Sequence, residues 1–215
     1  MINKHDYIEK LWSITEKAVI DSPFVLQINR NKMINPKNII EKDSYFLELG
    51  PGWGEVSLDL AIKNPHYAFF LAEKKINRIH HILKKIEKNK IENIRLLILN
   101  FNWFFREIFE NDCFDEILMN FPDPWPKSRH KKHRSFDENF LVTILDILKN
   151  RGRFRFATDH GGYGRDAIRV LRTSQLNQLY KFTYTLSRDD LPVSYFEDIQ
   201  KKNGKRIYYV ELKKN

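Results

Sequence analysis

One carboxylate, Asp123, stands between two prolines in the stretch Asn120-Phe121-Pro122-Asp123-Pro124-Trp125-Pro126, with the Trp125 ring close behind it. A dense cationic run follows at once: Lys127, Arg129, His130, Lys131, Lys132, His133 and Arg134. Each proline fixes its own φ and pushes the preceding residue toward extended backbone, so this segment is a stiff loop and not a helix interior. The apolar run 115–120 before it reads as a short strand. The loop therefore leaves the carboxyl end of a strand, the edge at which open α/β sheets hold ligands. An acid, a flat ring and clustered positive charge there suit chemistry on a polyanion that carries a ring.

A second constellation lies upstream. Glu48-Leu49-Gly50-Pro51-Gly52-Trp53-Gly54 follows one predicted strand and opens a predicted helix. Glycines there permit positive φ and close approach of backbone to a ligand. The G-x-G-x-G spacing differs from the G-x-G-x-x-G of nicotinamide enzymes. An acid two residues before the first glycine would repel a pyrophosphate. It suits a ligand with a cationic amine, such as S-adenosyl-L-methionine. Glu73, 19 residues beyond Gly54, ends the next predicted strand, where a carboxylate can chelate a ribose diol. Asn100 ends the strand after that; its amide suits the edge of an adenine and equally an Asx turn.

The elements that must position these residues alternate. Strands are expected at 45–49, 66–72, 94–99, 114–119 and 153–158, with helices over 55–62, 74–88 and 163–171. A further helix after the proline loop carries Phe136, Phe140, Leu141, Ile144, Leu145 and Leu148 on one side. Repeated βα units predict a doubly wound, mostly parallel sheet. Two last strands, around 181–185 and 206–212, have no helix foreseen between them and imply an antiparallel hairpin at the sheet edge. Residues 1–43 are expected to form an extension, with a helix over 5–20 and irregular chain beyond it, leaving 44–215 as the one domain.

Composition narrows the class. Lys and Arg number 37 against 28 Asp and Glu in 215 residues, a net charge of +9 that favours a polyanionic partner. No apolar run could span a bilayer, the first residues lack a secretory pattern, and Cys113 is the only cysteine. A cytoplasmic protein without disulfide, membrane contact or metal is expected. His130 and His133 have no companion acid or thiol at metal-ligand spacing.

At Asn-Phe-Pro-Asp-Pro-Trp-Pro-Lys the chain resembles the bacterial tRNA (guanine-N7)-methyltransferase family, whose hallmark is a Pro-Asp-Pro-Trp loop followed by Lys and an Arg/His/Lys-rich run. The likeness spans roughly residues 44–215, taking in Glu48 and its glycine loop, Glu73, Thr158-Asp159 and the segment from Pro192 to Glu197. It implies a class I S-adenosyl-L-methionine-dependent methyltransferase fold and S-adenosyl-L-homocysteine as product. The implied acceptor is a guanine of the tRNA variable loop; monomer and homodimer both stay open. Glu48, Gly50, Gly52, Gly54, Glu73, Asn100 and Asp123 would line the cofactor site, and Lys127, Asp159, Ser194 and Glu197 would meet the substrate. Asn100 and Ser194 stand where the family usually has Asp and Thr, and the tail over 198–207 departs from its pattern.

Guanine N7 has an in-plane lone pair that is free at neutral pH, so alignment matters more than a base. Asp123 is expected to stabilise the positive charge that develops on the purine. Asp159 could accept from guanine N1 and N2, or instead cap the helix that follows. On their own, Ser194 and Glu197 look like a capping pair. The run Arg129, His130, Lys131, Lys132, His133 and Arg134 is expected to contact phosphates. Two alternatives compete: an amino-group methyltransferase, and a non-catalytic RNA-binding protein of the same fold. Phe121 and Asp123 interrupt the Asn/Asp-Pro-Pro-aromatic arrangement of the first; the intact glycine loop and acids speak against the second.

Overall fold

The computed structural model describes residues 17–100, 107–126 and 134–215, together with Glu9, Trp12, Ser13 and Thr15. Among these residues eight strands form one sheet: β1 (Val25–Leu26), β2 (Ser44–Leu49), β3 (Tyr67–Glu73), β4 (Ile94–Ile98), β5 (Phe114–Asn120), β6 (Leu148–Thr158), β7 (Tyr180–Thr185) and β8 (Tyr208–Lys214). Their spatial order is β1-β4-β3-β2-β5-β6-β8-β7. All pairings are parallel except those of β8, which runs against both β6 and β7. After β2 the chain builds outward through β3 and β4, then returns to add β5 on the other side. The crevice between the carboxyl ends of β2 and β5 is thus the topological switch point.

Helices cover both faces. On one side lie α1 (Glu55–Lys63) and α2 (Ile76–Asn89), whose Val56, Leu58, Ala61, Ile79, Ile82 and Ile86 pack on Phe46, Phe69, Leu71, Leu96, Ile98 and Leu118. On the other lie α3 (Glu138–Ile147) and α4 (Gly161–Thr173), packed on Leu47, Phe70, Ile117, Met119, Phe154 and Phe156. Strand side chains alternate between faces. Glu48, Glu73, Asn100, Asn120 and Asp159 all continue the α1–α2 register, so one face of one sheet edge receives these five.

Four features differ from the expectation. Val25 and Leu26 add a short parallel strand beside β4, and Trp12 and Ile28 enter the core, so the segment before residue 44 is built into the sheet. A two-residue strand leaves no alternation to read. Leu148 opens β6 directly after α3 and does not extend that helix. A helix, α5 (Tyr195–Lys202), interrupts the connection between β7 and β8. The two strands do pair antiparallel, but β8 is inserted between β6 and β7. Of the helix expected over 5–20, the described Glu9, Trp12, Ser13, Thr15 and Lys17 are helical, whereas Ala18, Val19 and Ile20 are not. Among the described residues, no helix is long and apolar enough to cross a membrane.

Candidate active site

The turn after β2 is set by backbone. Gly50, Gly52 and Gly54 take φ of +73°, +61° and +78°, a region that side chains disfavour. The Gly50 N–H donates to the Ala72 carbonyl at 2.9 Å, and the Gly54 N–H to that of Pro51 at 2.9 Å. Two of these glycines serve different ends. A Cβ on Gly54 would lie 2.9 Å from Ile82 Cγ1, so that position brings α1 and α2 together. A Cβ on Gly52 would meet nothing within 4 Å among the described residues, so its backbone borders space that they leave open.

Below that turn Glu48 is buried, and the Ser57 hydroxyl donates to its Oε2. Burial pushes the Glu48 carboxyl from 4.5 up to about 7, against the opposing pull of Ser57 and the Arg188 charge. A buried carboxyl with so little compensation is suited to a cation brought by a ligand. Glu73, also buried, accepts from the Lys75 N–H at 2.9 Å and from Arg78 Nη1 at 3.2 Å. Each carboxylate oxygen retains acceptor capacity for a diol. Arg78 in turn lies over the half-exposed Trp53 ring, 5.9 Å from its centroid. Asn100 Oδ1 is buried and has no hydrogen-bond partner among the described residues. An unmet buried acceptor at the end of β4 fits the exocyclic amine of an adenine. The residues present thus fit S-adenosylmethionine at each end: acid for amine, acid for diol, amide oxygen for base.

The loop after β5 is built otherwise. Phe121 and Trp125 adopt φ of +49° and +42°, each directly before a proline and each carrying a Cβ. Such conformations cost roughly 1–3 kcal/mol apiece and persist only where the surroundings enforce them. The Phe121 N–H donates to the Ala157 carbonyl at 2.8 Å, and its ring meets Phe196 at 5.0 Å. Farther along, Arg134 Nε donates to the Pro124 carbonyl at 2.8 Å. Arg134 also pairs with Asp166 on α4 and lies over the Tyr163 ring, 5.0 Å from its centroid. Asp123, between these anchors, is exposed to solvent.

Arg134 corrects one expectation. It is not a surface cation awaiting a phosphate; it is buried, and it bolts the proline loop to α4. Lys127, Arg129, His130, Lys131, Lys132 and His133 lie outside the described residues. Asp159 follows β6 and is half-buried. It does not cap α4: His160 does, its Nδ1 accepting from the Tyr163 N–H at 3.1 Å.

Ser194 caps α5, accepting from the Glu197 N–H at 3.2 Å. Glu197 departs from the picture of an acid facing substrate. It is 0% exposed, and its carboxylate accepts from Arg188 Nη2 at 2.9 Å and the Tyr209 hydroxyl at 2.6 Å, with Lys201 Nζ at 2.8 Å. The Tyr195 N–H donates to Glu55 Oε2 at 2.7 Å, which ties the start of α5 to the start of α1. Sequence reasoning missed Arg188, Asn120 and Ser57 as parts of this site. Arg188 sits in Leu186-Ser187-Arg188-Asp189-Asp190, which reads as solvated charge. Only the strand alternation, which puts Asn120 on the face of Glu48, gave a usable signal.

A family profile described as "Putative methyltransferase" matches residues 42–210. A tRNA (guanine-N(7)-)-methyltransferase of Leptospira interrogans serogroup Icterohaemorrhagiae serovar Lai (strain 56601) is 43% identical over 208 residues, covering 96% of each chain. The chain belongs to the bacterial tRNA (guanine-N7)-methyltransferase family. Among solved structures, an rRNA methylase from Streptococcus thermophilus superposes with a TM-score of 0.54 at 14% identity, over 92% of this chain and 99% of the other. A Streptococcus mutans protein solved in complex with SAH gives 0.53 at 14% identity, over 81% and 90%. At such identities the likeness is one of fold, and it is the class I methyltransferase fold that this family member shares with them.

Proposed function

We propose that the protein transfers the methyl group of S-adenosyl-L-methionine to N7 of a guanine in the tRNA variable loop, giving 7-methylguanosine and S-adenosyl-L-homocysteine, in the cytoplasm. The observation that carries this reading is that Glu48, Glu73, Asn100 and the Asp123 loop stand at the carboxyl ends of the neighbouring strands β2, β3, β4 and β5, around the switch point. The name borne by the relative at 43% identity supports it.

When bound, the cofactor supplies an electrophilic methyl on a sulfonium. Glu48 holds the cationic amine of the methionine moiety, Glu73 the ribose diol, and Asn100 Oδ1 the adenine amine. The glycine turn lets backbone approach without a side chain between. No residue need remove a proton from N7, because its lone pair is free at neutral pH. Asp123 therefore acts by charge: fixed by two prolines, it faces the positive charge that grows on the purine. Asp159, free of any capping duty, accepts from guanine N1 and N2. The deep groove of an A-form helix hides N7 from side chains, so the target base must lie in a loop or be splayed out. Lys127 and the basic run from Arg129 to His133 hold phosphates.

Transfer of labelled methyl to total tRNA, followed by nucleoside analysis, tests the proposal. Label in 7-methylguanosine is expected. Label in N2- or N6-methylated bases would instead identify an amino-group methyltransferase. Absence of both transfer and calorimetric S-adenosylmethionine binding would leave an RNA-binding scaffold of the same fold.

A further inference from the structure

Asn120 is the last residue of β5 and lies on the sheet face of Glu48, immediately before the proline loop. Its Oδ1 accepts from Arg188 Nη1 at 3.3 Å, while its Nδ2 is buried and has no hydrogen-bond partner among the described residues. The orientation of this amide is not arbitrary. A guanidinium only donates, so Arg188 must face the amide oxygen and the N–H₂ must point elsewhere. Arg188 is itself held: its side chain is 8% exposed, Nη2 donates to Glu197, and the guanidinium lies over the Tyr209 ring at 4.8 Å. Arg188 Nε is also buried without a partner among the described residues. Two unmet donors thus sit on bonded side chains at the switch point, and buried donors of this kind call for an acceptor.

We propose that Asn120 Nδ2 donates to O6 of the target guanine and so sets the choice of base, with Arg188 as the positioning residue that fixes the amide. This rests on the methyltransferase reading above. O6 lies beside N7 on the same edge of guanine, so a residue one turn of loop from Asp123 can reach it while N7 faces the methyl donor. Adenine carries an amine at that place. Donor would then meet donor, and both would lose their hydrogen bonds in a site closed to water. Charge favours the amide over the guanidinium for this contact. As N7 becomes positive a bare cation at O6 would oppose the reaction, whereas the amide is neutral and the Arg188 charge is matched by the buried Glu197 carboxylate.

The test uses the full chain and two tRNA transcripts that differ only at the target base, one with guanine and one with 2-aminopurine, which keeps N7 and lacks O6. Wild type is expected to prefer guanine in kcat/KM by at least about tenfold, the scale of a lost hydrogen bond to a built partner. Asn120→Ala and Asn120→Ser should lose activity on guanine and shrink that preference about tenfold, leaving only the part due to the N1–H that Asp159 accepts from and that 2-aminopurine also lacks, with S-adenosylmethionine affinity unchanged in calorimetry. Arg188→Lys, which keeps one donor to Oδ1, should retain part of the preference. An undiminished preference in both Asn120 variants overturns the proposal, as does a large fall in their S-adenosylmethionine affinity, which would place the amide on the cofactor. Failure of wild type to form 7-methylguanosine at all would overturn the reaction together with this role for Asn120.

Discussion

After β2 the chain turns on three glycines, each at positive φ with no Cβ to resist it. After β5 it turns on Phe121 and Trp125, which reach the same region with side chains attached and prolines behind them. The first turn delivers a buried acid, Glu48, whose proton affinity burial raises; the second delivers an exposed acid, Asp123. Under the proposed reaction the contrast follows from the tasks. A cofactor pocket common to many reactions can be made from backbone freedom alone. A loop that must hold one carboxylate against a moving charge stores strain, and it needs Arg134, Ala157 and Phe196 to keep that strain in place.

The largest effect should come from Glu48→Gln. Losing the charge from a buried pair costs roughly 2–5 kcal/mol, so S-adenosylmethionine affinity by calorimetry should fall about 10²- to 10³-fold. Because the Glu48 carboxyl sits at about 7, wild-type affinity should rise as pH increases through 7 and then level off, whereas the variant should show no such step. The cofactor-free fold carries the opposite signature. Glu48 binds its proton more tightly folded than unfolded, so this stabilisation is complete below pH 4.5 and is lost as pH climbs through about 7. Denaturation midpoints across that window, wild type against Glu48→Gln, measure it.

Asp123→Ala comes next. If the exposed acid acts on the transition state, kcat should drop about 10²-fold while S-adenosylmethionine affinity changes little. Equal losses in both would make the two loops alike and end the contrast. Gly54→Ala probes the first turn alone: a Cβ at φ +78°, 2.9 Å from Ile82 Cγ1, should lower stability by about 2–3 kcal/mol in thermal unfolding. Arg134→Met probes the second. Removing the bolt should lower kcat about tenfold, with a smaller loss of stability than Gly54→Ala causes, because the strained loop relaxes once released. The smallest effect concerns neither turn. Neutralising Arg129, Lys131 and Lys132 together should reduce the slope of log affinity for tRNA against log salt by roughly 2, at about 0.7–0.9 per phosphate contact.

The two turns could be read from sequence because their determinants are local. Glycines at fixed spacing, an acid two residues before them and prolines on either side of Asp123 each restrict backbone within a few residues. The Glu197 cluster could not be read that way. It joins Asn120, Arg188, Glu197 and Tyr209, and the first pair alone is separated by 68 residues. Whether Glu197 faces solvent or interior depends on where β8 enters the sheet, which no periodicity in 180–215 encodes. The helix α5 was foreshadowed by the Ser194 and Glu197 capping pair, but its polar face hid the rest. Arg134 misled for a related reason: in sequence it is the last of a row of cations, and only Asp166, 32 residues on, withdraws it from the surface.

The insertion of β8 between β6 and β7 bears on the order in which this molecule comes into being. Of the described strands β8 is the last to be synthesised, yet β7 can join the sheet only through it. On the ribosome the cofactor half, from β2 to β5, can settle while the edge of β6 is still open and Arg188 lacks the Tyr209 ring beneath it. The nascent chain should therefore gain the ability to hold the methyl donor before it gains the rigid amide and braced loop that present a base to it. Donor binding and acceptor selection would be acquired in sequence, and an unfinished chain would bind without choosing.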